Sequence, residues 1–162
     1  MKLAVIPARG GSKRIPRKNI KPFCGRPIIE RSIEAASSSG CFDRVIVSTD
    51  DAEIAQVARE AGAEVPFMRP IELSDDHAGT IPVVRHAIGW QAAHGAAPSL
   101  VCCIYATAPF VTAADLRCGL DVLERGGSDF AFSVTKYPFP IQRAIRIVAS
   151  HGRHGLGMAV HH

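Results

Sequence analysis

The 162-residue sequence lacks the residue spacings that mark most metal and redox sites. Its five cysteines include no C-x-x-C pair, and its seven histidines include no H-E-x-x-H pair. Cysteines outside such spacings usually behave as small apolar side chains, so we interpret all five as structural thiols. The sequence therefore predicts neither a zinc centre nor a dithiol active site, and we assign no metal ligand.

Long apolar runs are also missing. The run from Leu100 to Tyr105 is among the longest, far below the ~20 residues that a membrane span needs, and no charged-then-apolar leader opens the chain. Hydrophobic residues make up 47% and charged residues 21%, which is typical of soluble globular proteins and unlike disordered chains. These features predict a folded cytoplasmic domain without membrane contact.

Two common phosphate-binding motifs are absent, since neither G-K-[ST] nor G-x-G-x-x-G occurs. However, eight of the 19 basic residues lie between Lys2 and Arg26, a segment without any acid, and Gly10 and Gly11 follow a short apolar run. Adjacent glycines let backbone amides approach an anion, and nearby cations offset its charge. The segment predicts a phosphate-binding loop. The alternatives are a solvated basic loop and a nucleic-acid site, which the lack of interleaved aromatic residues disfavours.

Short apolar runs alternate with amphipathic stretches, which is typical of strand-helix-strand units. The predicted strands are Leu3–Ile6, Arg44–Ser48, Glu64–Met68, Leu100–Tyr105, Asp129–Thr135 and Ala144–Ala149. The predicted helices begin at Pro27, Ala52, Thr80 and Thr112, with Thr49 or Asp50 as the cap of the second and a Thr112–Asp115 capping box opening the fourth. Leu100–Tyr105 is apolar on both faces, as a central strand should be.

This order predicts a three-layer α/β/α domain, Rossmann-like, with a mostly parallel sheet and functional loops at the carboxyl ends of the strands. We expect residues 1–149 to form the domain. Residues 150–162 are rich in histidine and glycine and show no apolar period, so they are expected to be an irregular, non-native or disordered tail.

The string IPARGGSKRIPRKNIKPFCGRPII resembles the opening of the acylneuraminate cytidylyltransferase family, whose members share a strand, an A-R-x-x-S-K-x-[ILV]-x-x-K-N loop and a helix. Four later segments agree with the family in order and spacing: VIVSTDD, RPIELSDDHAGT, CIYATAPF and FAFSVTKYPFPIQRAI. The resemblance covers about Leu3 to Ile147. It implies a nucleotide-diphospho-sugar transferase-like fold and a reaction between CTP and a nine-carbon sugar acid.

The resemblance also implies roles for particular residues. Arg9 and Lys18 are expected to stabilise charge near the transferred phosphorus, and Lys18, Tyr105 and Gln142 to contact the sugar. The expected nucleotide-binding residues are Ala8, Arg9, Gly10, Gly11, Ser12, Lys13, Asn19, Arg69, Asp76, Thr80, Thr107 and Pro109. Without the resemblance, the blander interpretation of Asp75 and Asp76 is a solvated turn.

Three features favour the pseudaminic acid branch of the family: the loop Arg14–Asn19, Tyr105, and the turn Tyr137–Gln142. Sialic and legionaminic acids remain alternative substrates, because these acids differ in stereochemistry and N-acyl groups, which a few polar contacts could distinguish. A further alternative is a non-catalytic CTP-binding fragment.

The implied reaction is attack of the sugar's anomeric hydroxyl on the α-phosphate of CTP, which releases pyrophosphate. The family uses Mg²⁺, whose principal aspartate ligands lie in a D-x-D-like segment beyond the end of this chain. Asp50 and Asp51 are possible substitute ligands, although helix capping is the more ordinary role for one of them. Members of the family form homodimers through a later hairpin, so dimerisation of this chain is doubtful.

Overall fold

The computed structural model describes residues 1–75, 78–127, 129–134, 145–147 and 158–160. The chain divides into two compact units, Met1–Ala131 and Phe132–His162. In chain order the elements are β1 (Lys2–Pro7), a 3-10 turn (Lys18–Ile20), β2 (Pro22–Phe23), β3 (Arg26–Pro27), α1 (Ile28–Ser39), β4 (Arg44–Ser48), α2 (Ala52–Glu60), a 3-10 turn (Ile71–Leu73), α3 (Thr80–Ala93), β5 (Leu100–Cys103), α4 (Ala113–Gly126), β6 (Ile145–Ile147) and β7 (Met158–Val160).

The sheet of the first unit has the strand order β4-β1-β5, and both pairings are parallel. Strand β1 lies in the middle, and the side chains of Leu3 to Ile6 are completely buried. The antiparallel pair β2–β3 forms a small separate hairpin between the first loop (residues 8–21, which connect β1 to β2) and α1. Because parallel strands share one direction, the loops after β1, β4 and β5 meet at one edge of the sheet.

Helices cover both faces of this sheet. Alternate residues of β1 point to opposite sides, so the strand contributes apolar side chains to both faces. Ala4 and Ile6 pack with α1 and α2 in one apolar cluster. Leu3 and Val5 pack with Ile46 of β4 and Ala87 of α3 in a second cluster on the other face. The predicted three-layer α/β/α class with a mostly parallel sheet is confirmed.

Helix ends follow local chemistry. The Thr112–Asp115 capping box of α4 is present as predicted, with each side chain bonded to the other's backbone N–H. The prediction for α2 was wrong in detail: Asp51, rather than Thr49 or Asp50, is the cap, and its carboxylate accepts a hydrogen bond from the backbone N–H of Ile54 at 3.0 Å. Thr49 instead accepts a hydrogen bond from the Asp51 N–H.

Three predicted strands differ from the structure. Glu64–Met68 makes only two isolated bridges, one to Ile46 of β4 and one to Thr49 just after it, because Pro66 has no N–H to continue a ladder. Leu100–Tyr105 is shortened to Leu100–Cys103, and β1 rather than this half-exposed strand is central in the sheet that the structure describes. Residues 129–134 adopt no strand, since nothing in the described chain pairs with them; Thr135 lies outside the described residues.

In the second unit, Ile145–Ile147 forms the strand β6, inside the predicted strand Ala144–Ala149. It pairs in antiparallel register with Met158–Val160, so these three residues of the expected irregular tail are a strand. The other residues of 148–162 lie outside the described part of the chain. The predicted domain boundary at residue 149 lies outside the described residues and stays a prediction.

Candidate active site

A cleft opens in the first unit at the carboxyl edge of the sheet. It is bounded by the loop after β1, the start of α3 and the turn after β5. Its lining residues are Pro7, Arg9, Ser12, Lys18, Asn19, Arg69, Ala78, Gly79, Thr80, Val83, Tyr105, Ala106 and Thr107. Segments far apart in the sequence therefore converge on one cavity.

The cleft contains eight residues that were predicted from the sequence. They are Arg9, Ser12, Lys18, Asn19, Arg69, Thr80, Tyr105 and Thr107. Of the remaining predicted residues, Gly10, Gly11 and Lys13 belong to the same loop without lining the cleft. Ala8 is completely buried beneath the loop and packs in the core.

One other predicted residue that the structure describes, Pro109, does not line the cleft. Pro109 lies in a second, shallower depression between α1 and the loop before α4, with Arg31 and Thr112. Asp76 and Gln142 lie outside the described residues. Their predicted roles stay predictions.

The first loop is closed by a side-chain bond. Asn19 is 5% exposed, and its amide nitrogen donates a hydrogen bond to the carbonyl oxygen of Arg9 at 2.8 Å. The guanidinium of Arg9 reaches across the cleft mouth and donates to the carbonyl oxygen of Asp75 at 2.7 Å. Both ends of the loop, and the segment before α3, are thus tied together around the cavity.

The two loop glycines have different surroundings. The amide N–H of Gly10 donates to the carboxylate of Asp50 at 2.9 Å, and a Cβ atom on Gly10 would lie 2.6 Å from an Asp51 carboxylate oxygen. A Cβ atom on Gly11 would meet nothing within 4 Å. The Gly10 amide that we expected to approach a phosphate is therefore bonded to a carboxylate of the protein.

Arg69 is a buried cation beside the cleft, with 7% of its surface exposed. Its guanidinium donates to the hydroxyl of Ser48 at 3.1 Å, to the Ser48 carbonyl oxygen, and to the carbonyl oxygen of Leu73 at 3.4 Å. Burial lowers the pKa of Arg69, while the Asp50 carboxylate opposes that shift and the Arg9 charge adds to it. Arg69 thus joins the end of β4 to the segment before α3.

Sequence reasoning identified Thr80 at the start of α3 but missed its neighbours Ala78, Gly79 and Val83. Helix α3 begins at Thr80, and Ala78, Gly79 and Val83 line the cleft beside it. The N-cap is Gly79, which has no side chain to cap the helix, and the first turn contains no acid. Backbone amides at a helix N-terminus attract anions, so this end of α3 adds positive potential to the cleft. The signal was the Gly-Thr pair before an apolar helical segment.

Comparison with known proteins agrees with this geometry. The profile of the cytidylyltransferase family matches residues 3–140. A pseudaminic acid cytidylyltransferase of Campylobacter jejuni is 48% identical over 142 residues, which are 88% of this chain and 61% of that protein. A CMP-N,N'-diacetyllegionaminic acid synthase of Legionella pneumophila is 48% identical over 82 residues, 51% of this chain and 35% of that protein. The chain thus spans about 61% of the length of the first of these relatives.

Among solved structures, a CMP:2-keto-3-deoxy-manno-octonic acid synthetase complexed with CTP aligns with a TM-score of 0.65 and 23% identity, covering 78% of this chain and 48% of that protein. A cytidylyltransferase of Leptospira borgpetersenii aligns with a TM-score of 0.59 and 20% identity, covering 76% of this chain and 49% of that protein. These likenesses show that the chain shares the α/β fold of these two proteins. The chain belongs to the cytidylyltransferase family.

Proposed function

We propose that this chain provides the CTP-binding part of an enzyme that transfers CMP to the anomeric hydroxyl of pseudaminic acid and releases pyrophosphate. The observation that carries the proposal is the convergence of eight predicted residues on one cleft at the carboxyl edge of the sheet. The 48% identity to a pseudaminic acid cytidylyltransferase, over 88% of this chain, supports the choice of sugar.

The cleft has the charge that a triphosphate requires. Arg9 and Lys18 line it from the first loop, Arg69 lines it from the segment between α2 and α3, and the N-terminus of α3 opens into it. Hydrogen bonds from ionised donors to phosphate oxygens are shorter and stronger than neutral ones. The triphosphate would lie along the first loop, between Lys18 and the start of α3.

Phosphoryl transfer depends largely on positioning and on stabilising developing charge. Arg9 and Lys18 would hold negative charge near the α-phosphate, and Tyr105, whose side chain is 61% exposed, would face the sugar. Thr107 and Ala106 would form the floor beneath the nucleotide. Gln142 is proposed as a sugar contact and Asp76 as a nucleotide contact on the resemblance alone.

Mg²⁺ is the cofactor proposed for the complete reaction, where it would neutralise phosphate oxygens. Within residues 1–75, 78–127 and 129–134, no group of three or more His, Cys, Asp or Glu side chains could hold a metal ion. Asp51 is engaged by Arg17 and by the Ile54 N–H, and Asp50 by the Gly10 N–H. These residues alone do not fit a magnesium site.

CTP binding is the first test, measured by isothermal titration calorimetry with the whole chain. Lys18→Gln should weaken CTP binding about tenfold, the effect expected for one hydrogen bond to a charged group. Lys21→Gln is the matched control, because Lys21 is exposed in the same segment and does not line the cleft. Equal losses in both variants would point to general charge attraction instead of a defined site.

The sugar is tested by pyrophosphate release from CTP and Mg²⁺ with pseudaminic acid, beside sialic acid, legionaminic acid and a no-sugar control. Release with pseudaminic acid alone supports the proposed branch, and release with another acid reassigns it. No release with any sugar, from a sample that binds CTP, supports the alternative of a non-catalytic CTP-binding fragment.

No helix of the part of the chain that the structure describes is both long and apolar enough to cross a membrane.

A further inference from the structure

Arg17 has a backbone conformation that side chains rarely adopt. Its φ is 54° and its ψ 29°, the left-handed region, which is unfavourable for a residue with a Cβ atom. The 3-10 turn Lys18–Ile20 begins directly after it. Residues held in such conformations persist only when surrounding contacts fix them. The contacts of Arg17 therefore decide the direction in which Lys18 and Asn19 leave the loop.

Two carboxylates hold the Arg17 side chain. Both terminal nitrogens of its guanidinium bond to the two oxygens of Asp51, and the second nitrogen also bonds to Glu53. The side chains are 40%, 20% and 66% exposed for Arg17, Asp51 and Glu53. A two-pronged guanidinium–carboxylate pair fixes direction as well as distance.

Asp51 is itself fixed by the fold. It caps α2 through the Ile54 N–H, and its side chain packs where a Cβ atom of Gly10 would be. The neighbouring Asp50 accepts the Gly10 N–H at 2.9 Å. The pair at the end of β4 thus contacts the first loop at two points seven residues apart in the sequence, Gly10 and Arg17.

We propose that Arg17 is a positioning residue for CTP binding: clamped by Asp51 and Glu53 at the start of α2, it holds the first loop so that Lys18 and Asn19 enter the cleft. This inference rests on the proposed function, and it gives Arg17 a role distinct from that of the basic residues that line the cleft. Its charge is directed toward carboxylates of the protein instead of the nucleotide.

The clamp also gives Asp50 and Asp51 a purpose other than metal binding. With Lys18 and Asn19 already directed into the cleft, and Asn19 bonded back to the Arg9 carbonyl oxygen, the loop need not be ordered when CTP binds. A site organised before binding loses less conformational entropy on association. Loosening the clamp should therefore weaken CTP binding without removing any group that touches CTP.

The test combines CTP affinity with backbone hydrogen exchange in the whole chain. Arg17→Lys keeps the charge but cannot bond to Asp51 through two nitrogens, and Asp51→Ser removes the carboxylate while keeping a side chain that caps helices well. Each variant should weaken CTP binding about three- to tenfold, and the double variant no more than either single one, because both remove one interaction. Arg14→Lys is the matched control, since Arg14 is exposed in the same loop.

Hydrogen exchange separates this proposal from the proposed function. Amides of residues 9–20 should exchange faster in Arg17→Lys than in the wild type, whether or not CTP is present, while those of β1 stay protected. Unchanged exchange in that loop, or losses of CTP affinity that multiply in the double variant, would overturn the clamp. If the wild type binds no CTP but the loop is loosened in Arg17→Lys, the proposed function fails and the role in CTP binding fails with it, while the holding of the first loop by Arg17 stands.

Discussion

The hydroxyl of Ser32, completely buried in α1, donates a hydrogen bond to the carbonyl oxygen of Tyr105 at 2.9 Å. Tyr105 follows β5, and the next two residues, Ala106 and Thr107, line the cleft with it. One bond therefore ties a helix of the core to the floor of the candidate site, and a change in the core should reach the cleft through it.

Ser32→Ala should lower the free energy of unfolding by about 1 kcal/mol, the net value of one internal hydrogen bond. The loss should be modest because the Tyr105 carbonyl oxygen also accepts the Ala108 N–H. Urea unfolding measures it, with Ser37→Ala as the control, since Ser37 is an exposed serine of the same helix. Both variants gain the same helix propensity, so equal stabilities would contradict a stabilising Ser32–Tyr105 bond.

Arg69→Lys should not behave as a conservative change. A lysine ammonium cannot reach the Ser48 hydroxyl, the Ser48 carbonyl and the Leu73 carbonyl together, as the planar guanidinium does. We expect a loss of about 1–3 kcal/mol in the free energy of unfolding. Arg59→Lys, at an exposed position of α2 with one long contact to Val65, should change stability far less. Similar losses in both variants would contradict this account.

The sequence predicted the layers of the fold because apolar spacing follows directly from which faces are buried. Leu3–Ile6 is apolar at every position, which matches a strand covered on both faces, and the structure makes it the central strand. Leu100–Tyr105 has the same composition but lies beside it. Composition reports burial, whereas the order of strands depends on partners distant in the sequence, which a local pattern does not contain.

The candidate site also has a part that could be predicted from the sequence and a part that could not. The loop and the residues around Arg69, Thr80 and Thr107 could be predicted because their motif resembles a known family, and the structure brings them into one cleft. The two acids after β4 have different partners: Asp50 accepts the Gly10 N–H, whereas Asp51 caps α2 and bonds to Arg17. This division could not be predicted. Whether Asp50 or Asp51 caps α2, and which one faces Arg17, depends on backbone angles that the sequence does not specify.

The carboxyl group of Asp51 should titrate at a lower pH in the wild type than in Arg17→Ala. The hydrogen bond from Arg17 is the main cause of the lowered pKa of Asp51; desolvation opposes it, and the bond from the Ile54 N–H adds to it. An NMR pH titration of the side-chain carboxyl carbon of Asp51 measures the midpoint in both proteins. A midpoint that stays the same without Arg17 would show that helix capping alone depresses this pKa.

The same lowered pKa gives stability a defined dependence on pH. Because the pKa of Asp51 is lower in the folded than in the unfolded chain, the folded state binds fewer protons. The stabilisation is complete above the unfolded value and declines as the pH falls through the folded pKa. The fall in unfolding free energy below about pH 4, a value taken from unperturbed aspartate, should be shallower in Asp51→Ser than in the wild type. Parallel curves would contradict a contribution from Asp51.

Gly10→Ala and Gly11→Ala form a matched pair that separates packing from chain flexibility. A methyl group at position 10 would lie 2.6 Å from an Asp51 carboxylate oxygen and 2.9 Å from its Cβ, whereas one at position 11 would meet nothing within 4 Å. Neither glycine has a positive φ, so backbone strain does not distinguish them.

Gly10→Ala must therefore displace Asp51, and with it the cap of α2 and the bond to Arg17. We expect a loss of about 1–3 kcal/mol in unfolding free energy, the usual cost of overpacking, together with weaker CTP binding. Gly11→Ala should keep or slightly raise stability, because alanine restricts the unfolded chain. Urea unfolding and calorimetry on both variants measure this. A larger loss of unfolding free energy in Gly11→Ala than in Gly10→Ala would mean that contact with Asp51 does not limit position 10. A larger loss of CTP affinity in Gly11→Ala would mean that the loop needs its second glycine for closeness to the nucleotide.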